Sequence, residues 1–189
     1  MQTRNLNRSV IWLGVCLCLA ATLILPGLSY AATRAEINAA VDRALARFTV
    51  EVRGAQGLLN SAKGVLVFAG VIKAGAGIGA EYGEGALRID GTTRAYYSLA
   101  SASIGLQFGV QRKDIIIVFL QQNALDAFRA KSGWQVGVDG SIVIVNLGAN
   151  ASIDTTKLNQ PIVAFVVGQR GLMYNLTLEG TKITRINPQ

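Results

Sequence analysis

Between Lys73 and Gly85 the glycines fall on alternate residues, at 75, 77 and 79 and again at 83 and 85. Alternate residues of an extended chain share a face. A strand here carries one face nearly bare of side chains, on which another backbone or an aromatic ring can close in. Glycine also weakens a strand, so packing on that face must compensate. The segment invites a nucleotide-binding reading and fails it. A dinucleotide fingerprint needs its glycine turn to open a helix, whereas the residues after Gly85 keep a strand pattern. No Gly-Lys-Ser/Thr ends a Walker A loop. The spacing supports a close-packed β surface.

Short β-type runs split by glycine extend along most of the chain. They cover residues 65–68, 72–82, 85–90, 94–101, 104–111 and 115–121, then 134–138, 141–148, 162–168, 171–178 and 181–186. Asp90-Gly91 is a hairpin turn signal. Thr33-Arg34-Ala35-Glu36 has the form of a capping box. Behind it Ile37, Ala40, Val41, Ala44, Leu45 and Phe48 recur at helical spacing and make one apolar stripe. The stripe suits a helix covering its own core, and equally a basic amphipathic helix lying on a membrane. A short helix is predicted over residues 54–63, and another from a cap at Asn123 to Lys131. The pattern predicts an α+β domain: a mainly antiparallel β sandwich or barrel-like unit with N-terminal helices and one short internal helix.

The first 31 residues stand apart. Arg4 and Arg8 precede an unbroken apolar run from Val10 to Leu25, then Pro26-Gly27, then Ser29-Tyr30-Ala31. A basic start, an apolar middle and a small-x-small end predict a secretory signal cleaved after Ala31. Sixteen apolar residues span roughly 24 Å of helix, short of the ~30 Å needed to cross the hydrocarbon core. Cys16 follows Val15 and Cys18 follows Leu17, so neither suits lipoprotein acylation. The expected mature chain is one domain, residues 32–189, destined for the periplasm or cell envelope.

Both cysteines lie in that segment, and the chain has no histidine. The mature domain therefore has no disulfide and no thiol nucleophile. It also lacks the commonest general base and the commonest metal ligand. No metal and no cofactor are expected. Glu81 and Glu84 lie close in sequence, and Asp139 sits in a turn-like Val138-Asp139-Gly140, yet no spacing matches a calcium loop. The expectation is a protein that is not an enzyme. Removing Arg4 and Arg8 from a net charge of +7 leaves +5, which suits an anionic partner. No basic run exceeds Arg112-Lys113, so nucleic acid is not expected.

Several segments, in order, resemble the SYLF (Ysc84-like) domain. They are Ala62-Lys63-Gly64-Val65-Leu66-Val67-Phe68, Lys73-Ala74-Gly75, and Gly79-Ala80-Glu81-Tyr82-Gly83-Glu84-Gly85. Residues 96–107, 128–130, 133–140, 168–173 and 176–183 continue the match. Two positions depart from the usual pattern. Ala69 stands where the family often has proline, and Ala76 where it often has an aromatic residue. The resemblance implies a lipid-binding module, peripheral to a membrane, with an N-terminal amphipathic helix taking part. Actin binding, known among eukaryotic relatives, is not expected here. The residues assigned to lipid are Arg43, Arg47, Arg53 and Lys73 for attraction to anionic phospholipid, with Ile37, Val41, Leu45 and Phe48 for insertion. The alternative is a structural or partner-binding envelope protein with no lipid ligand.

Overall fold

The computed structural model describes residues 32–145, 160–171 and 178–189, with backbone alone at 105–108 and 171. The predicted signal segment, residues 1–31, lies outside that range, as do parts of two predicted strands (residues 146–148 and 172–177). The elements run α1 (Arg34–Glu51), α2 (Ala55–Ser61), β1 (Gly64–Ile89), β2 (Thr92–Phe119), α3 (Gln122–Arg129), β3 (Gly133–Gln135), β4 (Val143–Val145), β5 (Ile162–Gly171) and β6 (Lys182–Ile186). The class is α+β, as the sequence pattern predicts.

α1 starts where the capping box puts it. The Glu36 amide donates to Thr33 Oγ1 at 3.3 Å, and the Thr33 amide donates to Glu36 Oε2 at 2.8 Å. The Thr33 backbone and hydroxyl hold the Glu36 carboxyl below the ordinary glutamate range. Arg34 ties the helix start to the end of the domain. Its amide donates to the Gln189 carbonyl at 3.0 Å and its Nε to the Pro188 carbonyl at 2.9 Å. α3 starts earlier than predicted, with Gln121 as its cap. Asn123 lies inside the first turn, where its Oδ1 accepts the neighbouring Ala124 amide.

The largest difference from the sequence pattern is strand length. Six predicted short runs are two strands of 26 and 28 residues, paired antiparallel along their whole length. Asp90 (φ 51°) and Gly91 (φ 73°) turn between them, both in the left-handed region of a type I′ hairpin. Straight, 26 residues would run about 86 Å. The ribbon instead doubles over on itself. A Cβ built on Gly85 would lie 2.0 Å from the Val67 carbonyl oxygen, and one on Gly83 2.7 Å from Val71 Cγ2. At the bend, a Cβ on Gly75 would lie 2.6 Å from Gly79 Cα and from the Ile78 carbonyl oxygen. The bare glycine face is thus the inner face of the fold-over.

β2 completes the sheet on its far side. Its first half pairs with β6 and its second half with β5, giving the order β3-β6-β2-β5-β4 with β1 on β2. β4 and β5 are parallel, and the other pairs are antiparallel. Two apolar cores result. The inner one gathers Leu66, Phe68, Val71, Leu87, Leu99, Ile115 and Ile117 under α3, where Phe128 stacks on Tyr97, Phe119 and Trp134 at 5.0–5.7 Å. The outer one packs α1 and α2 on Val65, Val67, Ala86, Ile116, Val118 and Phe165.

A bulge decides which side chains enter the interior. Phe68 pairs with Ile115 and Val71 with Lys113, so Ala69 and Gly70 together oppose Asp114. Before this bulge the even residues of β1 face inward; after it the odd ones do. Lys73 and Glu81 are consequently buried inside, beside Gln111 and Lys113 of β2. Lys113 Nζ meets Glu81 Oε1 at 3.0 Å, with side-chain exposures of 1% and 3%.

Candidate functional site

The helical stripe is the cover of the outer core. Ile37, Val41 and Phe48 are buried against the sheet, and Leu45 is half-buried. With α1 packed this way, the insertion assigned to Ile37, Val41 and Phe48 does not hold, because their apolar surface is already removed from water, and Leu45 keeps only part of its own exposed. Lys73 is equally unavailable for attraction to lipid. The bulge turns it inward, away from any membrane surface. Arg53 is exposed but lies apart from any cavity described below.

Arg43 and Arg47 fare differently. One turn apart on α1, they reach over the edge of the outer core toward the bulge. There they line a cavity of about 200 Å³ with Gly70, Arg112, Asp114, Gly168 and Arg170. Arg112 and Arg170 are directly opposite partners on β2 and β5. Four guanidinium groups thus meet one carboxylate. Asp114 is buried and already committed: Oδ1 accepts the Gly70 amide at 2.7 Å, and Oδ2 pairs with Arg47 Nη1. No acid among the described residues pairs with Arg43, Arg112 or Arg170.

Two glycines make the cavity possible. Gly70 (φ 70°) and Gly168 (φ 62°) lie in the left-handed region, and each lets a guanidinium approach its backbone. A Cβ on Gly70 would lie 2.6 Å from Arg112 Nη2, and one on Gly168 2.5 Å from Arg47 Nη1. The result is a cationic hollow with fork-shaped donors, the geometry that suits phosphate or carboxylate oxygens.

The other acids do not converge. Glu81 points inward to Lys113, whereas Glu84, on the opposite face, accepts the Ala32 amide at 3.0 Å and the Tyr82 hydroxyl at 2.8 Å. Asp139 closes its own turn by accepting the Gln135 amide at 2.7 Å, and Lys131 holds its carboxyl below the usual range. A second cavity, between α1 and the hairpin turn, opposes Asp42 and Asp90 to Arg88 alone, with Arg88 Nη2 2.7 Å from Asp42 Oδ1. It has no excess of positive charge.

The family model of Ysc84, described as "Las17-binding protein actin regulator", matches residues 100–187. Over those residues the chain is similar to the Ysc84 family. Most of β2, all of β5 and β6, and the short elements between them fall within the Ysc84 match, and so do Arg112, Asp114, Gly168 and Arg170. Arg43, Arg47 and Gly70 complete the cavity from outside it. No curated protein matches the chain. The sequence alone points to Arg43 and Arg47 through the helix, but not to Arg112 and Arg170. The one available hint was Arg170 within the Gly168-Gln169-Arg170-Gly171 segment of the Ysc84 resemblance.

Proposed function

We propose that the protein is an exported, non-enzymatic module that binds anionic phospholipid head groups through the arginine cavity at the edge of α1. The observation that carries this reading is the cross-strand pair Arg112 and Arg170, like charges set opposite each other with no acid among the described residues paired to either. Such a pair costs a few tenths to about 1 kcal/mol, and a bound anion reverses that cost. Arg43 and Arg47 add to the same field, and each cation near an anionic surface contributes about 1 kcal/mol. The basic-apolar-small pattern of residues 1–31 supports export to the periplasm or envelope, where membrane lipid is at hand and actin is not. The missing histidine and the divergent Glu81 and Glu84 support a binding role over catalysis.

Co-sedimentation with phosphatidylcholine vesicles carrying increasing phosphatidylglycerol tests the proposal. Binding should rise with the anionic fraction and fall with salt. Arg112→Ala and Arg170→Ala should each weaken it. Binding that ignores both salt and these substitutions refutes the reading in favour of a protein partner.

A further inference from the structure

Beyond the bulge the β1–β2 ribbon is inside out. From Lys73 to Glu81, and at Gln111 and Lys113 opposite, its buried inward side chains are all polar or charged and are set among glycines. Its outward ones are Ile72, Ala74, Ala76, Ile78, Ala80 and Tyr82 on β1, with Ala100, Ala102, Ile104 and Val110 on β2, and every one is exposed. Ile78 and Ile104 are directly paired and 70% and 89% exposed. No outward side chain described between Ile72 and Tyr82, or from Ala100 to Val110, carries a charge. On β1 the helical cover of the outer face ends near Ala69 and resumes near Ala86, so the residues between them form a bare convex bend.

A contiguous apolar surface of this kind needs a partner. The polarity indicates which. Apolar-out and polar-in is the pattern of strands that face lipid. The charge at its foot agrees. Ile72 pairs with Arg112, which pairs with Arg170, so one row across three strands leads from the apolar bend into the arginine cavity. Acyl chains beyond anionic head groups present that same sequence of chemistries.

We propose that the bend of the β1–β2 ribbon enters the acyl layer of an anionic membrane while the arginine cavity stays at head-group level. This rests on the head-group reading above and replaces α1 with the ribbon as the inserting element.

The test uses the exported form expected after cleavage, residues 32–189, with vesicles of phosphatidylcholine and phosphatidylglycerol. Ile78→Asp and Ile104→Asp should each weaken vesicle binding by about tenfold or more, since a charge in the acyl region is strongly disfavoured. Both positions are exposed, so thermal unfolding without vesicles should be unchanged. Ile104→Ser serves as a second variant should either aspartate hinder folding. In a parallel experiment, the fluorescence of Ile104→Trp should be quenched by lipids brominated along their acyl chains, relative to the unsubstituted exported form with Trp134 alone. Binding that needs Arg112 and Arg170 but ignores Ile78 and Ile104, with no added quenching, overturns insertion and leaves the head-group reading standing. No vesicle binding by the unsubstituted chain overturns both. Self-association without vesicles that Ile104→Asp abolishes also overturns insertion, because a second copy then covers the bend.

Discussion

Arg112 and Arg170 face each other across neighbouring antiparallel strands, and Asp114, two residues along β2, is held by Gly70 and Arg47. The carboxylate nearest this pair is therefore committed elsewhere, and the pair is a standing site of positive charge at the foot of the apolar bend.

Removing either member should separate binding from stability. Arg112→Ala or Arg170→Ala relieves like-charge repulsion, so thermal stability should hold or rise slightly. Affinity for anionic vesicles should drop about fivefold for each, equivalent to about 1 kcal/mol. Paired melting and co-sedimentation curves check both.

Asp114→Asn should act in the opposite sense. It strips Arg47 of its acid and weakens the bond to the Gly70 amide. Destabilisation of about 1–3 kcal/mol is expected in urea titration, with vesicle binding kept or strengthened because the cavity becomes more positive.

The interior pair Lys113 and Glu81 predicts a non-additive cycle. Glu81→Gln leaves a buried ammonium without its carboxylate and should cost about 3–5 kcal/mol. Lys113→Met should cost a comparable amount. The double substitution Glu81→Leu with Lys113→Met should recover much of the loss, as replacing both partners by apolar groups removes the unpaired charge. Equilibrium unfolding of the three variants gives the coupling.

Gly85→Ala should prevent the fold-over, since its Cβ would meet the Val67 carbonyl oxygen at 2.0 Å and that oxygen belongs to the backbone. Gly91→Ala meets no neighbour and should cost only the strain of its φ, about 1 kcal/mol. Soluble yield and circular dichroism distinguish the two.

Acid should loosen the start of α1. The Glu36 carboxyl, lowered by its bonds to Thr33, supports the helix fully above the ordinary glutamate range. That support is lost as pH falls through the lower folded value. Thr33→Ala removes the hydroxyl bond but keeps the backbone amide, so it should lessen this acid dependence, whereas Glu36→Gln should abolish it, read by amide exchange at residues 36–38.

The parts of this fold visible in the sequence are those set by neighbours in the chain. Thr33 and Glu36 cap α1, Asp90-Gly91 turns the hairpin, and Gly83 and Gly85 mark a face that another backbone approaches. What sequence could not give depends on distant partners. Glycines that read as breaks are bends within continuous ladders, because the opposite strand keeps pairing through them. Lys73, assigned to attraction as a basic residue, faces inward because the bulge at Ala69–Gly70 reverses strand parity, which no local pattern announces. Arg112 and Arg170 are 58 positions apart in the numbering, and only the β2–β5 register brings them together.

The bulge at Ala69–Gly70 has a consequence for how such a surface can arise. One extra residue sets the parity of everything beyond it on β1. Without it, Ile72, Ala74, Ala76, Ile78, Ala80 and Tyr82 would fall on the inner side, and Lys73 and Glu81 would meet water. The same amino acids would then spell an ordinary water-facing strand. One inserted or deleted codon at this point, with every other residue kept, is enough to exchange the two surfaces.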